Sequence, residues 1–190
     1  RAPSIQVSYT VQGNFTFLGT GMLASNVITP TSLFLGYDAT TITSNGFQFP
    51  TNTTINFQAN SGSALYLADD MTILGSMYFA NVTGTRCVWQ PVTLPRQVHL
   101  FGNLSVATNS PGCGISGGME LSVEGSGQTL DFSNGASIVY TPSLEVNLLS
   151  GTTTILSGSK AINISYFDHN TGVFDATAAH FRFISSGTIF

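Results

Sequence analysis

The whole sequence consists of short runs in which apolar and polar residues alternate, and this periodicity constrains the fold more than any other feature. The first run reads SIQVSYTVQ at 4–12, and its apolar residues occupy every second position: Ile5, Val7, Tyr9 and Val11. In an extended chain these four side chains lie on one face, and the polar side chains lie on the other. Comparable runs include TINFQA at 54–59, GMELSVEG at 118–125 and AINISYF at 161–167. The pattern predicts half-buried β-strands.

Turn-forming residues separate these runs at intervals of about 8 to 12 residues, as they do in antiparallel sandwiches. The main turn signals are Asn45-Gly46, Gly125-Ser126-Gly127, Asn134-Gly135 and Asn170-Thr171-Gly172. No window combines an apolar stripe of helical period with a capping residue, and only FDATAAHF at 174–181 is compatible with a short helical turn. No repeat period or linker is evident. We therefore predict an all-β protein, an antiparallel β-sandwich with a pilin-like or immunoglobulin-like head.

The chain is unusually poor in charge, since Asp, Glu, Lys and Arg make up 7% of its residues against about 25% in typical proteins. The only lysine is Lys160, and the arginines are scattered, so no basic patch is available to neutralise phosphates. We therefore expect no nucleic-acid partner. No apolar run approaches the length of about 18 residues that a membrane helix needs, so we expect no helical membrane span.

N-linked glycans would supply the hydrophilic surface that charged side chains do not. Five Asn-X-Ser/Thr sequons occur, at Asn14, Asn52, Asn81, Asn103 and Asn163. Such glycans are bulky, solubilising and characteristic of secreted proteins. We therefore expect an extracellular glycoprotein.

The two cysteines, Cys87 and Cys113, are expected to form a disulfide bond. In a chain with extracellular features, a lone pair of cysteines is more often bridged than free. The bridge would close a loop of about 27 residues, which contributes roughly 3 to 4 kcal/mol in the chain-entropy model. No histidine lies at zinc-ligand spacing from either thiol, so no metal site is predicted there.

One segment satisfies the Gly-x-Ser-x-Gly motif of serine hydrolases: GISGG at 114–118, with Ser116 in the nucleophile position. Asp168, Asp175 and His180 follow in hydrolase order. The motif requires a helix directly after the serine, whereas residues 119–123 alternate as a strand does. We therefore predict no catalytic residues and no cofactor.

The remaining candidate residues do not form the pattern of a metal, cross-link or sugar-binding site either. The pairs Asp69-Asp70 and Asp168-His169 lie in predicted turns without the spacing of a calcium loop. His99 and His180 lie in apolar strands, and Lys160 is read as a solvated residue rather than as half of an isopeptide bond. Trp89, Tyr66 and Tyr78 would form a sugar-stacking surface only if they met outside the core.

The strand at 4–12 has three possible pairings. It is the first strand of its own domain, or it packs in a symmetric dimer, or it inserts as a donor strand into a neighbouring subunit. No charge protects its edge, and Gln12-Gly13-Asn14 offers a hinge. The third pairing divides the chain into an N-terminal tail at 1–13 and a head at 14–190.

In style, over its whole length, the chain resembles the subunit of the thread filament on thermoacidophilic archaea, although no short motif is diagnostic. The resemblance is carried by low charge, many Ser, Thr and Asn residues, multiple sequons and an alternating first strand. It implies a pilin-like β-sandwich head and assembly by donor-strand complementation. The implied donor residues are Ile5, Val7, Tyr9 and Val11, with Phe15 and Phe17 as further tail contacts.

The hypothesis from sequence is a non-enzymatic subunit of an extracellular filament that serves surface adhesion and biofilm formation. Its partners would be identical subunits in a head-to-tail homopolymer, together with unidentified surface or glycan ligands. The alternatives are a secreted carbohydrate-binding β-sandwich, such as an adhesin domain or lectin that uses Trp89, and a capsid or surface-layer protein.

Overall fold

The computed structural model describes residues 8–11, 15–16, 32–35, 41–51, 53–57, 64–79, 88–93, 95–106, 114–115, 119–134 and 138–184. Within these ranges the chain is built of strands and turns, and no helix occurs. The described residues therefore contain no helix that is long and apolar enough to cross a membrane.

The strands are numbered in chain order. They are β1 (Ser8–Val11), β2 (Phe15–Thr16), β3 (Ser32–Leu35), β4 (Thr41–Thr43), β5 (Gln48–Phe49), β6 (Thr54–Phe57), β7 (Ala64–Leu67), β8 (Met71–Ile73), β9 (Ser76–Phe79), β10 (Val88–Pro91), β11 (Arg96–Leu100), β12 (Leu104–Val106), β13 (Gly114–Ile115), β14 (Met119–Val123), β15 (Thr129–Asp131) and β16 (Ile138–Phe183). β16 is 46 residues long and contributes to two neighbouring ladders, since its residues 143–146 pair with β14 and its residues 154–156 pair with β15.

The predicted antiparallel β-sandwich is wrong, because every pairing between the described strands is parallel. The predicted extended donor strand is corrected with it, since β1 pairs with β3 of the same chain, Ser8 opposite Ser32. Alternation of apolar and polar residues reports only that one face of a strand is buried, and it is the same for both pairing directions. The sequence pattern therefore identified strands without fixing how they pair.

The chain winds as a β-solenoid, in which each strand pairs with the strand one turn earlier and the strand one turn later. Face 1 contains β1, β3, β6, β9, β12, β15 and residues 154–156 of β16. Face 2 contains β5, β8, β11, β14 and residues 143–146 of β16. Face 3 contains β2, β4, β7, β10 and β13.

One turn of the solenoid, here called a coil, takes 22 to 27 residues. The shortest spacing is seen at Ser32 opposite Thr54, and the longest at Met77 opposite Leu104. This variable period explains why no repeat is evident in the sequence, because insertions of a few residues at the corners shift the register between coils. Solenoids of this kind are stabilised by contacts between neighbouring repeats.

The core fills the interior of the coils with aliphatic, Met and Phe side chains stacked in columns. On face 2 the column runs through Ile73, Leu100 and Val123, each 0% exposed. Along β9 and β12 every second side chain points inward, as the alternation predicts. The alternating sequence therefore gives one apolar lining per face, and three faces enclose one continuous core.

Glycines occupy the corner between face 2 and face 1 in successive coils. A Cβ atom on Gly75 would lie 1.9 Å from the carbonyl oxygen of Thr53. On Gly102 it would lie 2.2 Å from the oxygen of Gly75, and on Gly125 it would lie 2.0 Å from the oxygen of Phe101. Only a residue without a side chain lets the backbones approach so closely.

A buried glutamine holds two coils together at the same corner. The Gln128 side chain is 2% exposed, and its Oε1 accepts a 2.8 Å hydrogen bond from the N–H of Gly125. Its Nε2 donates to the carbonyl oxygens of Leu100 and Gly102 in the preceding coil, at 2.9 and 2.6 Å. Buried backbone groups at a sharp turn need such partners, since an unpaired one costs roughly 1 to 3 kcal/mol.

The predicted hairpin turns are corners of coils instead. Asn45 and Gly46 both have positive φ, 49° and 74°, as a two-residue hairpin would require. They nevertheless connect β4 on face 3 to β5 on face 2. The possible helical turn at 174–181 is also absent, because these residues lie within β16.

Replacing Gly102 with alanine should destabilise the protein by about 3 kcal/mol or more, because the atoms that the new methyl group would meet are backbone atoms of Gly75. Gly127→Ala is the matched control. Gly127 has φ +69° but nothing within 4 Å of an added Cβ, so the cost there is about 1 to 2 kcal/mol of backbone strain. Denaturant unfolding of both variants measures the difference, and equal costs would contradict the corner geometry.

Candidate functional site

The outward side of face 2 carries a group of polar side chains that hydrogen-bond to one another. In β14 the residues Met119, Leu121 and Val123 point into the core, so Glu120 and Ser122 lie on the outer side. The same alternation places Gln97 outward in β11, where it is the register partner of Glu120. Parallel pairing thus stacks the polar positions of successive coils about 4.8 Å apart.

Four of these side chains form a hydrogen-bonded row across the coils, called the polar row: Gln97, Glu120, Glu145 and Asn170. Nε2 of Gln97 donates to Oε1 of Glu120 and to Oε2 of Glu145, both at 2.9 Å. Nδ2 of Asn170 donates to Oε1 of Glu145 at 2.7 Å. The amide groups of Gln97 and Asn170 therefore donate hydrogen bonds to two carboxyl groups that stacking brings together.

Burial raises the pKa of Glu120 above its usual value of 4.5, and a hydrogen bond and the negative charge of Glu145 raise it further. The hydrogen bond from Gln97 acts in the opposite direction. Partial burial, followed by the charges of nearby carboxylates, also raises the pKa of Tyr166 above 10.0, and its hydroxyl donates to Asp168. Three carboxyl groups, Glu120, Glu145 and Asp168, thus lie close enough to influence one another.

A second polar group lies further along the same strands. Oε1 of Glu124 accepts a 2.8 Å hydrogen bond from the hydroxyl of Ser122 and lies 2.5 Å from Nδ1 of His99. The His99 and Glu124 side chains are 29% and 20% exposed. Among the described residues this is the one ion pair that includes a histidine.

The geometry of both groups differs from that of known hydrolytic centres. In a Ser-His-acid triad the serine bonds to the imidazole, and the acid bonds to the other ring nitrogen. Here Ser122 bonds to Glu124 directly. Glycosidases keep their two carboxyl groups about 5 Å or more apart so that the scissile bond fits between them, whereas Glu120 and Glu145 share one amide donor, Nε2 of Gln97.

The structure describes only part of the candidate hydrolase triad. Ser116 lies outside the described residues, and residues 119–123 form β14, the strand that the alternation predicts. Asp175 accepts hydrogen bonds from the N–H and hydroxyl of Thr177, which lower its pKa below 3.8. The N–H of His180 donates to Ser157.

The acidic turns act on the neighbouring backbone. Asp69 accepts hydrogen bonds from the N–H groups of Ser44 and Asn45 in the preceding coil, at 2.7 and 2.6 Å. Asp70 accepts a 3.0 Å bond from the N–H of Gln97 in the following coil. His169 bonds to the carbonyl oxygen of Gly172. No group of three metal-ligating side chains occurs in the part of the chain that the structure describes.

The three aromatic residues considered for sugar stacking lie on two faces. Trp89 and Tyr66 belong to β10 and β7, which are neighbours on face 3. Tyr78 belongs to β9 on face 1. A platform of all three is therefore not formed. Lys160 lies within β16.

The predicted donor residues fall at the first coil. Tyr9 and Val11 lie in β1, opposite Leu33 and Leu35 of β3, and Phe15 lies in β2, opposite Ile42 of β4. Ile5, Val7 and Phe17 lie outside the described residues. The backbone of this segment is thus part of the solenoid of its own chain.

The sequons differ in accessibility. Asn103 is exposed, and its Oδ1 accepts a 2.9 Å bond from the N–H of Thr129 in the next coil. Asn163 is 5% exposed, and its Oδ1 has no hydrogen-bond partner. Asn14, Asn52 and Asn81 lie outside the described residues.

The two cysteines also lie outside the described residues, and their disulfide stays a prediction. The residues that follow them, Val88 and Gly114, are register partners on face 3. Cys87 and Cys113 have the same separation in sequence as these partners, so a bridge between them would join consecutive coils.

The polar row has no local signature in the sequence, because its members are far apart in the chain. Gln97, Glu120, Glu145 and Asn170 follow one another at intervals of about one coil. The glycines of the corner, Gly75, Gly102 and Gly125, repeat at similar intervals. These two recurrences together were the available signal of a solenoid.

Replacing Glu120 with glutamine should stabilise the protein near neutral pH by about 0.5 kcal/mol, the scale of a partly exposed hydrogen bond. Because the pKa of Glu120 is raised in the folded state, the stability that it contributes is fully present below pH 4.5 and is lost as the pH rises through the folded value. The variant should therefore unfold at a higher temperature than the wild type at pH 7 and at nearly the same temperature at pH 4.

The control for this prediction is Glu145→Gln combined with Glu120→Gln. If repulsion between the two carboxylates causes the stabilisation by Glu120→Gln, adding Glu145→Gln should raise the stability little further. The double-mutant cycle then shows coupling between the two positions.

Asp175 changes stability with pH in the opposite direction. Its lowered pKa gives stability that is present above pH 3.8 and is lost as the pH falls through the folded value. A wild-type stability maximum near pH 7 rather than in mild acid would contradict the assignment to Glu120.

When the chain is secreted by a glycosylating host, we expect a glycan at Asn103 and none at Asn163. The exposed Asn103 accommodates a sugar, whereas a glycan on Asn163 would have to pass through the wall of the coil. Site-resolved peptide mass spectrometry measures the occupancy, with Asn103→Gln as the control for assignment. Full occupancy of Asn163 would contradict its burial.

Comparisons with known proteins give no relative from which a role could be transferred. No protein-family model matches the sequence, and no curated protein or solved structure is significantly similar to it. The roles of the polar row and of the first and last coils therefore have to be argued from their own geometry.

Proposed function

We propose that the chain is a non-enzymatic structural subunit of an extracellular filament that serves surface attachment. The observation that carries the proposal is the stacking of parallel coils, whose described strands form one sheet of eleven strands and one of five. Such a ladder is a rod, and its length grows by repetition of one unit. If the two different ends of such a rod bind each other, the contact is heterologous and repeats head-to-tail, which gives an open fibre when it does not close into a ring.

The surface composition supports an extracellular structural role. With 7% charged residues, the chain carries few of the ion pairs that salt or acid would weaken. Hydrogen bonds between uncharged or singly charged side chains connect the coils instead, for example Ser126 to Ser150 and Thr171 to Asn147. These contacts are suited to an exposed filament.

The polar row supports the non-enzymatic part of the proposal. The carboxyl groups of Glu120 and Glu145 accept hydrogen bonds from Gln97 and Asn170, which lie on neighbouring coils. Catalytic carboxyl groups need a free oxygen directed at the substrate. In the row, Oε1 of Glu120 and both carboxyl oxygens of Glu145 accept hydrogen bonds that join coils, which is a structural use.

A second candidate is carbohydrate binding beside the polar row, and exposed polar side chains on two neighbouring coils favour it. Asn147 lies on one coil, Asn170 and Thr171 lie on the next, and all three present exposed amide or hydroxyl groups. Such groups recognise sugar hydroxyls. Glycan-array binding by a monomer, abolished by Asn170→Ala, would favour this candidate, and Trp89→Ala would separately test the aromatic residue of face 3.

Electron microscopy of the purified protein tests the proposed function. We expect unbranched filaments with the solenoid axis along the fibre, and therefore a meridional spacing near 4.8 Å in fibre diffraction. A filament of β-sandwiches joined by donor strands would not show this spacing along the fibre axis. A protein that stays monomeric at every concentration and pH examined would contradict the proposal.

A further inference from the structure

The polar row has fewer hydrogen-bond donors than acceptors when both of its carboxyl groups are ionised. Glu120 and Glu145 then present four acceptor oxygens and no donor. Nε2 of Gln97 donates at 2.9 Å to one oxygen of each carboxylate. Nδ2 of Asn170 donates at 2.7 Å to Glu145. The two amides thus supply three bonds to four oxygens, and a proton on either carboxyl group adds a donor.

Gln97 also keeps the two carboxyl groups close together. Two oxygen atoms that are each 2.9 Å from one nitrogen lie no further apart than twice that distance. Glu120 and Glu145 are half-buried, so water screens their charges less than it does at an open surface. Two carboxylates at such a separation repel each other, and one of them therefore holds a proton more tightly than an isolated glutamate does.

The acidic groups around Glu120 add to this repulsion. Asp168, on a following coil, contributes a third negative charge, and its carboxylate accepts a hydrogen bond from the Tyr166 hydroxyl. On the other side, in the coil before Gln97, Asp70 accepts a 3.0 Å hydrogen bond from the N–H of Gln97. These neighbours are negative or uncharged, so none of them neutralises the row.

The positively charged groups near the row do not neutralise it either. His99 of β11 is paired with Glu124, further along the same strands. Arg96 is the register partner of Met119, which points into the core. In the part of the chain that the structure describes, no arginine or lysine forms an ion pair with the row. The row therefore loses negative charge by taking up a proton from solvent.

We propose that the polar row is a proton-dependent clasp between coils, which takes up one proton in acid and thereby holds β14 against residues 143–146 of β16. The proton binds a carboxylate oxygen of Glu120 or Glu145, and the new O–H donates to the carboxylate that stays ionised. One repulsion is replaced by one charge-assisted hydrogen bond. The step is a reversible protonation that needs no other reactant. It goes beyond the proposed filament function and does not depend on it.

The direction of the pH dependence follows from the raised pKa of Glu120. Burial raises this pKa first, and Glu145 and Asp168 raise it further. A carboxyl group whose pKa is raised by folding gives stability that is fully present below its unfolded value, here 4.5. That stability is lost as the pH rises through the folded value. The clasp is therefore closed in acid and loosened at neutral pH.

Two measurements on the full chain test the clasp. Carbon-detected NMR follows the side-chain carboxyl groups from pH 3 to pH 8, and we expect Glu120 and Glu145 to titrate together in two steps, one of them above pH 4.5. Amide hydrogen exchange reports local opening at residues 143–146, which pair with β14. Corrected for the intrinsic rate, it should be at least about twofold slower at pH 4.5 than at pH 7, the factor that a weak hydrogen bond gives.

Glu120→Gln separates the clasp from other effects of pH. Its amide donates to Glu145 at every pH, so exchange at residues 143–146 should be as slow at pH 7 as at pH 4.5. Asp175→Asn is the matched control, an acid-to-amide change outside the row. Hydrogen bonds from Thr177 lower the pKa of Asp175 below 3.8, so it is ionised at both pH values. This variant should keep the wild-type pH response, and circular dichroism verifies that both variants are folded.

Each other outcome overturns the inference at a different step. If both carboxyl groups titrate independently at or below pH 4.5, the row shares no proton. A raised titration without any change in exchange at residues 143–146 would show a strained pair that does not hold the coils. A pH response that persists in Glu120→Gln, or that disappears in Asp175→Asn, would assign it to another group. None of these outcomes bears on filament assembly, which electron microscopy tests separately.

Discussion

The close stacking of successive coils is the constraint on which the rest of this structure depends. At the corner between face 2 and face 1 the backbones approach so closely that Gly75, Gly102 and Gly125 admit no side chain. The buried Gln128 completes the same corner by bonding to the backbone of two coils. Once the corner is fixed, the three faces follow, and the apolar columns of neighbouring coils come into contact.

Stacking also determines the chemistry of the surface. Residues such as Glu120 and Glu145, 25 positions apart in the chain, become neighbours only because coils lie in register. The resulting repulsion is moderated by the amides of Gln97 and Asn170. The polar row is therefore a product of the fold, and its hydrogen bonds in turn hold the coils in register.

Part of this architecture was predictable from the sequence, and the limit has a physical cause. Alternation correctly identified strands such as β14, whose residues Met119, Leu121 and Val123 are buried. Alternation is local, however, and the pairing partner lies a coil away, so the parallel direction was not visible. Asn45-Gly46 has hairpin-like dihedral angles and still forms a corner. The candidate site was likewise hidden, because its residues share no local motif and are united only by the coil spacing.

The direction of the ladder hydrogen bonds has a mechanical consequence. In the solenoid these bonds run along the long axis, so a pull on the two ends of the rod loads them in tension, coil after coil, rather than shearing a whole sheet at once. Each coil that opens releases 22 to 27 residues, or roughly 70 to 90 Å of extended chain. A rod of this construction lengthens stepwise under load and absorbs work at each step while the remaining coils stay folded.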